Sequence, residues 1–227
     1  MASSAPASSD ALVNRSAPAP RAGAERAARG AIGDEYPSRI VRALTVPASF
    51  VATNWAAILL AITVVGTIPA LTSATRTTTD LAGHADRSFR ETLRAGAALL
   101  RRDWLISLAM WAALLLLVGD AVILSGLATG STRVFLAGLA LPPAWLVASF
   151  LSAYVVVAAR SAPEAPRREV AASALHLIMT RPVRALLIPL VIVAVSPLWL
   201  LAPLTIAIGF SLPPFFVAKF WGTTEGS

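Results

Sequence analysis

The 227 residues include no cysteine, which excludes disulfides, thiolate metal sites and a cysteine nucleophile. Charge is scarce too: 14% of residues are Asp, Glu, Lys or Arg, where soluble domains carry about 25%. Lysine is nearly absent, with Lys219 the one lysine among 19 basic residues. The two histidines, His84 and His176, have no other His, Asp or Glu within a helix turn in a recognised metal-binding spacing. HExxH, the P-loop glycine-lysine element, the GxSxG elbow and paired intramembrane aspartates are all missing, so hydrolase, ATPase and intramembrane protease chemistry lack the residues to run them. No catalytic residue, cofactor or metal ligand is assigned, and the expectation is a protein that is not an enzyme.

What the chain has in excess is apolar surface, at 56% of residues, above the roughly 45–50% of soluble domains. That excess must face lipid. The net charge of +7 does not point to nucleic acid. The arginines stand in short segments between apolar runs, where the positive-inside rule accounts for them. The expected class is all-α, a polytopic transmembrane helix bundle of about five spans in a bacterial cell membrane, with the bilayer as its first partner.

Residues 1–36 have too few large apolar side chains to offset the entropy of ordering them and read as a disordered tail of Ala, Pro, Ser and Arg. The tail lacks the basic-then-apolar order of a signal peptide and is expected to stay attached. Residues 37–48 form a juxtamembrane segment. In it Ile40, Val41 and Leu44 alternate with Arg39 and Arg42, which suits either an interfacial amphipathic helix or a plain linker. The transmembrane domain covers residues 49–221.

No charge occurs from Ala43 to Thr75, and about 20 apolar residues cross a bilayer core, which places a first span at 49–71. The second is expected at 104–127, interrupted by Asp120, and the third at 134–158, bent by Pro142 and Pro143. The last charge-free run, Ala185 to Ala218, would be about 51 Å long as one helix, too long for the bilayer. It must fold back near Ser196 to Pro203, giving spans at 185–199 and 203–220. The segments 72–103 and 159–184 hold most of the remaining arginines, so both are expected on the cytoplasmic side as two basic interfacial helices, which puts the tail outside. Within them Arg90, Arg94, Arg101, Arg102, Arg181 and Arg184 are candidate contacts for a cytoplasmic partner, or simple anchors to lipid headgroups. Asn54 and Asp120 are the candidate polar positions inside the membrane, where such residues are costly. An interhelical hydrogen bond is the plain alternative for Asn54, and a solvated acid near the outer interface for Asp120.

Asn54-Trp55, then Gly66-Thr-Ile-Pro69-Ala70 and Ala74, resemble the opening of the YesL-like family of small bacterial multispanning proteins, whose domain has no assigned function. Phe89-Arg90-Glu-Thr-Leu-Arg94, Arg102-Asp103-Trp104, the acid at Asp120 and Thr180-Arg181-Pro182 follow in that family's order, with Asp103 where an asparagine is expected. The resemblance covers residues 48–220. It implies a non-catalytic membrane protein accessory to carbohydrate uptake, with ABC importer permease subunits as partners, and it transfers no catalytic residue. The residues themselves leave two other classes open, a small autonomous transporter or channel and a membrane scaffold or lipid-binding protein.

Overall fold

The computed structural model describes residues 35–80, 87–126 and 130–222, with side chains from Leu44 onward apart from Leu200. The tail expected at 1–36 lies almost wholly outside the described residues, as does His84. Two compact units are distinguished, Met1–Arg42 and Ala43–Ser227, and the account that follows concerns the second.

All regular structure among the described residues is helical: α1 (Glu35–Ala61), a short 3₁₀ turn (Val64–Gly66), α2 (Thr67–Thr79), α3 (Ser88–Gly126), α4 (Gly130–Arg160), α5 (Arg167–Thr180), α6 (Pro182–Val195), α7 (Pro197–Leu200), α8 (Ala202–Ile208) and α9 (Leu212–Phe220). Four stretches are long and apolar enough to cross a membrane: Leu44–Ala61, α3, α4 and Pro182–Trp199. The pair α8 and α9, bent by 67°, makes a fifth when taken as one broken span. The expected all-α polytopic bundle of about five spans is what the chain forms.

The first expected span differs in form. Helix α1 stops at Ala61, and the chain turns a corner before α2 begins at Thr67. Pro69 explains the corner, because a proline in mid-helix has no N–H to donate and its ring crowds the carbonyl four residues back. The break upstream leaves Pro69 in the first turn of α2, where its missing N–H costs nothing. Gly66 is required there: a Cβ would lie 2.0 Å from the Leu60 carbonyl oxygen.

Helix α2 is the centre of the unit, since ten of its 13 residues are buried although it is rich in Thr and Ser. Most of its hydroxyls are bonded, with Thr75 Oγ1 donating to the Leu71 carbonyl (2.7 Å) and Thr78 Oγ1 to Ala74 (2.7 Å), whereas the buried Thr72 hydroxyl has no partner. It runs antiparallel to α3. The Ile68 N–H donates to Ser107 Oγ (3.1 Å), Trp111 Nε1 to Thr67 Oγ1 (3.0 Å), and the Thr77 and Thr92 hydroxyls share a bond of 3.0 Å.

At about 58 Å, α3 is far longer than a bilayer core is thick. Its first half carries the arginines and lies along α2, while a charge-free stretch runs from Trp104 to Gly119. Helix α4 continues unbroken through Pro142 and Pro143. Its last turns pack on α5 and α9 in one apolar cluster that includes Tyr154, Val156, Val170, Ala174, Ile188 and Trp221. The two arginine segments, similar in outline, fold differently. Residues 88–126 make one continuous helix, whereas Arg181 leaves the helical region (φ −131°, ψ 59°) and separates α5 from α6. Pro182 accounts for this, because the residue before a proline is disfavoured in the α conformation.

Candidate functional site

The most connected polar group lies where α3 passes from its arginine-bearing half to the charge-free stretch that begins at Trp104. Arg102 and Asp103 are neighbours in sequence, and neighbours on a helix do not normally face each other. The long arginine side chain folds back nevertheless. Its Nε donates to Asp103 Oδ1 (2.8 Å) and its Nη2 to Oδ2 (3.0 Å), a two-pronged ion pair with side chains only 5% and 0% exposed. A buried pair survives desolvation only if further bonds occupy its remaining donors and acceptors. Here Arg102 Nη1 donates to the Ala162 carbonyl (3.0 Å), Nη2 to that of Ala158 (3.5 Å), and the Tyr154 hydroxyl to Asp103 Oδ1 (2.7 Å). The knot therefore ties α3 to the end of α4 and to the loop 161–166.

Asn54 is fully buried on α1 and completes the broken span. In an unbroken helix the Phe210 N–H would bond to the Ile206 carbonyl. Instead the Phe210 N–H donates to Asn54 Oδ1 (2.5 Å), while Asn54 Nδ2 donates to the carbonyls of Ile206 (2.7 Å) and Thr205 (3.0 Å). The amide thus replaces the missing rung from both sides. Trp199 Nε1 closes the same break by donating to the Gly209 carbonyl (2.7 Å). Irregular backbone at membrane depth persists only where protein satisfies it.

The arginines expected to act together divide into three groups. Arg102 points inward, as described. Arg181 and Arg184 both donate through Nη1 to the Trp221 carbonyl oxygen, Arg184 at 2.7 Å, and cap the C-terminal end of α9. Trp221 itself is fully buried, with Nε1 near Ser152 Oγ at 3.4 Å. Arg90, Arg94 and Arg101 remain exposed. At 100° per residue they fall within about 40° of one another, a row about 16 Å long on one face of α3. The same face continues past Trp104 as exposed Leu105 and Leu108.

Asp120 is exposed on the far half of α3 and lines an open groove of 380 Å³ against α4, among Leu117, Ala140 and Pro143. His176 is exposed on α5. Among the described residues no three His, Cys, Asp or Glu side chains converge.

Sequence reasoning named Asn54 and Arg102 but not their partners, and it passed over Tyr154 altogether. The signal for the latter was available in principle: Asp103 opens a span, and an acid there needs a donor from a neighbouring helix.

These features define the class: an integral, multi-pass helical membrane protein whose buried polar groups hold irregular helices together. No protein family model, curated protein or solved structure matches the chain.

Proposed function

We propose that the chain is a non-catalytic accessory subunit of the bacterial plasma membrane that engages a partner through the exposed arginine row of α3. The observation that carries this reading is the division of labour among the arginines. Arg102, Arg181 and Arg184 are spent on internal bonds, whereas Arg90, Arg94 and Arg101 share one free face. A row of guanidiniums favours an acidic partner surface. In this reading the arginine-bearing end faces the cytoplasm, and the resemblance to YesL-like proteins makes the permease subunits of a carbohydrate ABC importer the first partners to seek.

Mass spectrometry of the tagged protein drawn from its native membrane in mild detergent tests this. Stoichiometric permease subunits are expected, and Arg90→Glu with Arg94→Glu should release them. Repeated purification without a permease, together with unchanged uptake of every tested sugar after deletion, removes the reading. Orientation is separately accessible because the chain lacks native cysteine. A single Arg90→Cys should react with an impermeant maleimide only after the cell is opened, and Ser125→Cys in intact cells.

The broken span supports a second reading, a small autonomous transporter, since discontinuous helices commonly frame a transport site. Reconstituted vesicles distinguish the two: flux of sugars or ions above background, reduced by Asp120→Asn, favours transport.

A further inference from the structure

A cavity of 670 Å³ opens beside the Arg102–Asp103 knot, between α3 and the loop that leads into α5. One wall comes from α3, with Arg101, Trp104 and Leu105, and the other from Pro163 and Pro166 with Arg167. The knot builds this second wall, because Arg102 holds the loop through the Ala162 carbonyl.

The charges lining it are unequal in availability. Arg102 is neutralised by Asp103. Arg101 and Arg167 make no hydrogen bond or ion pair, and Glu164, also on the lining, is unpaired too. Two free guanidiniums therefore stand against one carboxylate. Helix α5 begins on the same wall at Arg167, just after Pro166, with no side chain capping its first N–H groups.

Below the arginines the lining turns apolar. Trp104 and Leu105 are exposed, and they open the charge-free stretch of α3 that runs on through Gly119. A cavity that is cationic above and continuous with a lipid-facing helix below fits a ligand with a phosphate at one end and a hydrocarbon chain at the other. The geometry points to a specific binding site for one anionic phospholipid, with the headgroup phosphate between Arg101 and Arg167 and an acyl chain laid along Trp104 and Leu105. Guanidinium forks match phosphate oxygens in geometry, and tryptophan favours the headgroup level. Glu164 disfavours the anion and sets the site's strength. A free phosphate shares the headgroup chemistry but would gain nothing from the apolar part.

The test uses the full chain in nanodiscs of equal phosphatidylglycerol and phosphatidylcholine, with lipids retained after mild detergent extraction identified by native mass spectrometry. Preferential retention of phosphatidylglycerol is expected. An Arg101→Gln, Arg167→Gln double variant should lose that preference by roughly fivefold per arginine, while Arg76→Gln, exposed on α2 and off the cavity, leaves it unchanged. Equal lipid ratios for wild type and double variant overturn the proposal. Thermal stabilisation by millimolar inorganic phosphate in pure phosphatidylcholine, equal to that by phosphatidylglycerol and lost in the double variant, would assign the site to free phosphate and overturn the lipid. Should the double variant not fold, Glu164→Gln decides, because it should raise phosphatidylglycerol retention and an unchanged ratio refutes the site.

Discussion

The two ends of α3 belong to differently built regions. Around its arginine-bearing half, polar groups are inside: the Thr-rich α2 is buried against it, and Asp103 is fully covered. In the distal half, apolar groups are outside, with Leu114 through Val118 exposed on α3 and Val134, Phe135 and Leu139 exposed on α4. The first region satisfies most of its polar groups internally, as a soluble core does, with the Thr72 hydroxyl an exception. The second carries the apolar surface that only lipid can cover. One helix thus passes from protein-stabilised to solvent-stabilised structure, and the knot at Arg102, Asp103 and Tyr154 marks the change.

The largest break in this contrast is expected from Asp103→Leu, which strands the Arg102 guanidinium without its counter-charge. Stranding a buried charge in this way costs about 3–5 kcal/mol, to be read as lost thermal stability in detergent. A variant as stable as wild type would mean that the pair contributes nothing to holding α3 and α4. Next comes a matched pair of leucines. Leu99 is 1% exposed and Leu115 is 68% exposed. Leu99→Ala should cost about 2–5 kcal/mol through lost contacts and a cavity, and Leu115→Ala within about 0.5 kcal/mol. Equal losses would erase the distinction between the regions.

Asn54→Leu follows, with about 1–3 kcal/mol expected for the Phe210 N–H left unsatisfied at the break between α8 and α9. Hydrogen exchange should locate its effect at Phe210 and leave the distal half of α3 unchanged. A smaller effect than these core losses belongs to Tyr154→Phe, about 1 kcal/mol, because Asp103 keeps both bonds from Arg102. A loss as large as that of Asp103→Leu would make the tyrosine the true centre of the knot.

Much of the fold was legible because it follows from composition and run length. Charge-free stretches of span length and the prolines that interrupt the last one are local properties, and they placed the hydrophobic helices and the fold-back after α6. Asn54 was legible as a costly polar residue in a span. The corner after Ala61 was not, because hydropathy runs on smoothly from Leu60 to Leu71. Only Pro69 with Gly66 signals it, and lipid-buried helices often carry proline without breaking. α4 does so at Pro142 and Pro143.

The roles of the arginines divide along the same line. By itself, the amino-acid sequence determined that this chain forms several apolar helices long enough to cross a membrane and gathers most arginines beyond residue 48 into the segments 72–103 and 159–184, since burial in lipid leaves the backbone little choice but a helix and the pattern of charge sets which segments stay out. Tertiary structure alone decided which arginines turn inward and what they meet. Asp103 finds Tyr154 51 residues away, and Asn54 finds Phe210 156 residues away. Such pairings depend on where packed helices cross, which side-chain shape governs and hydropathy does not record.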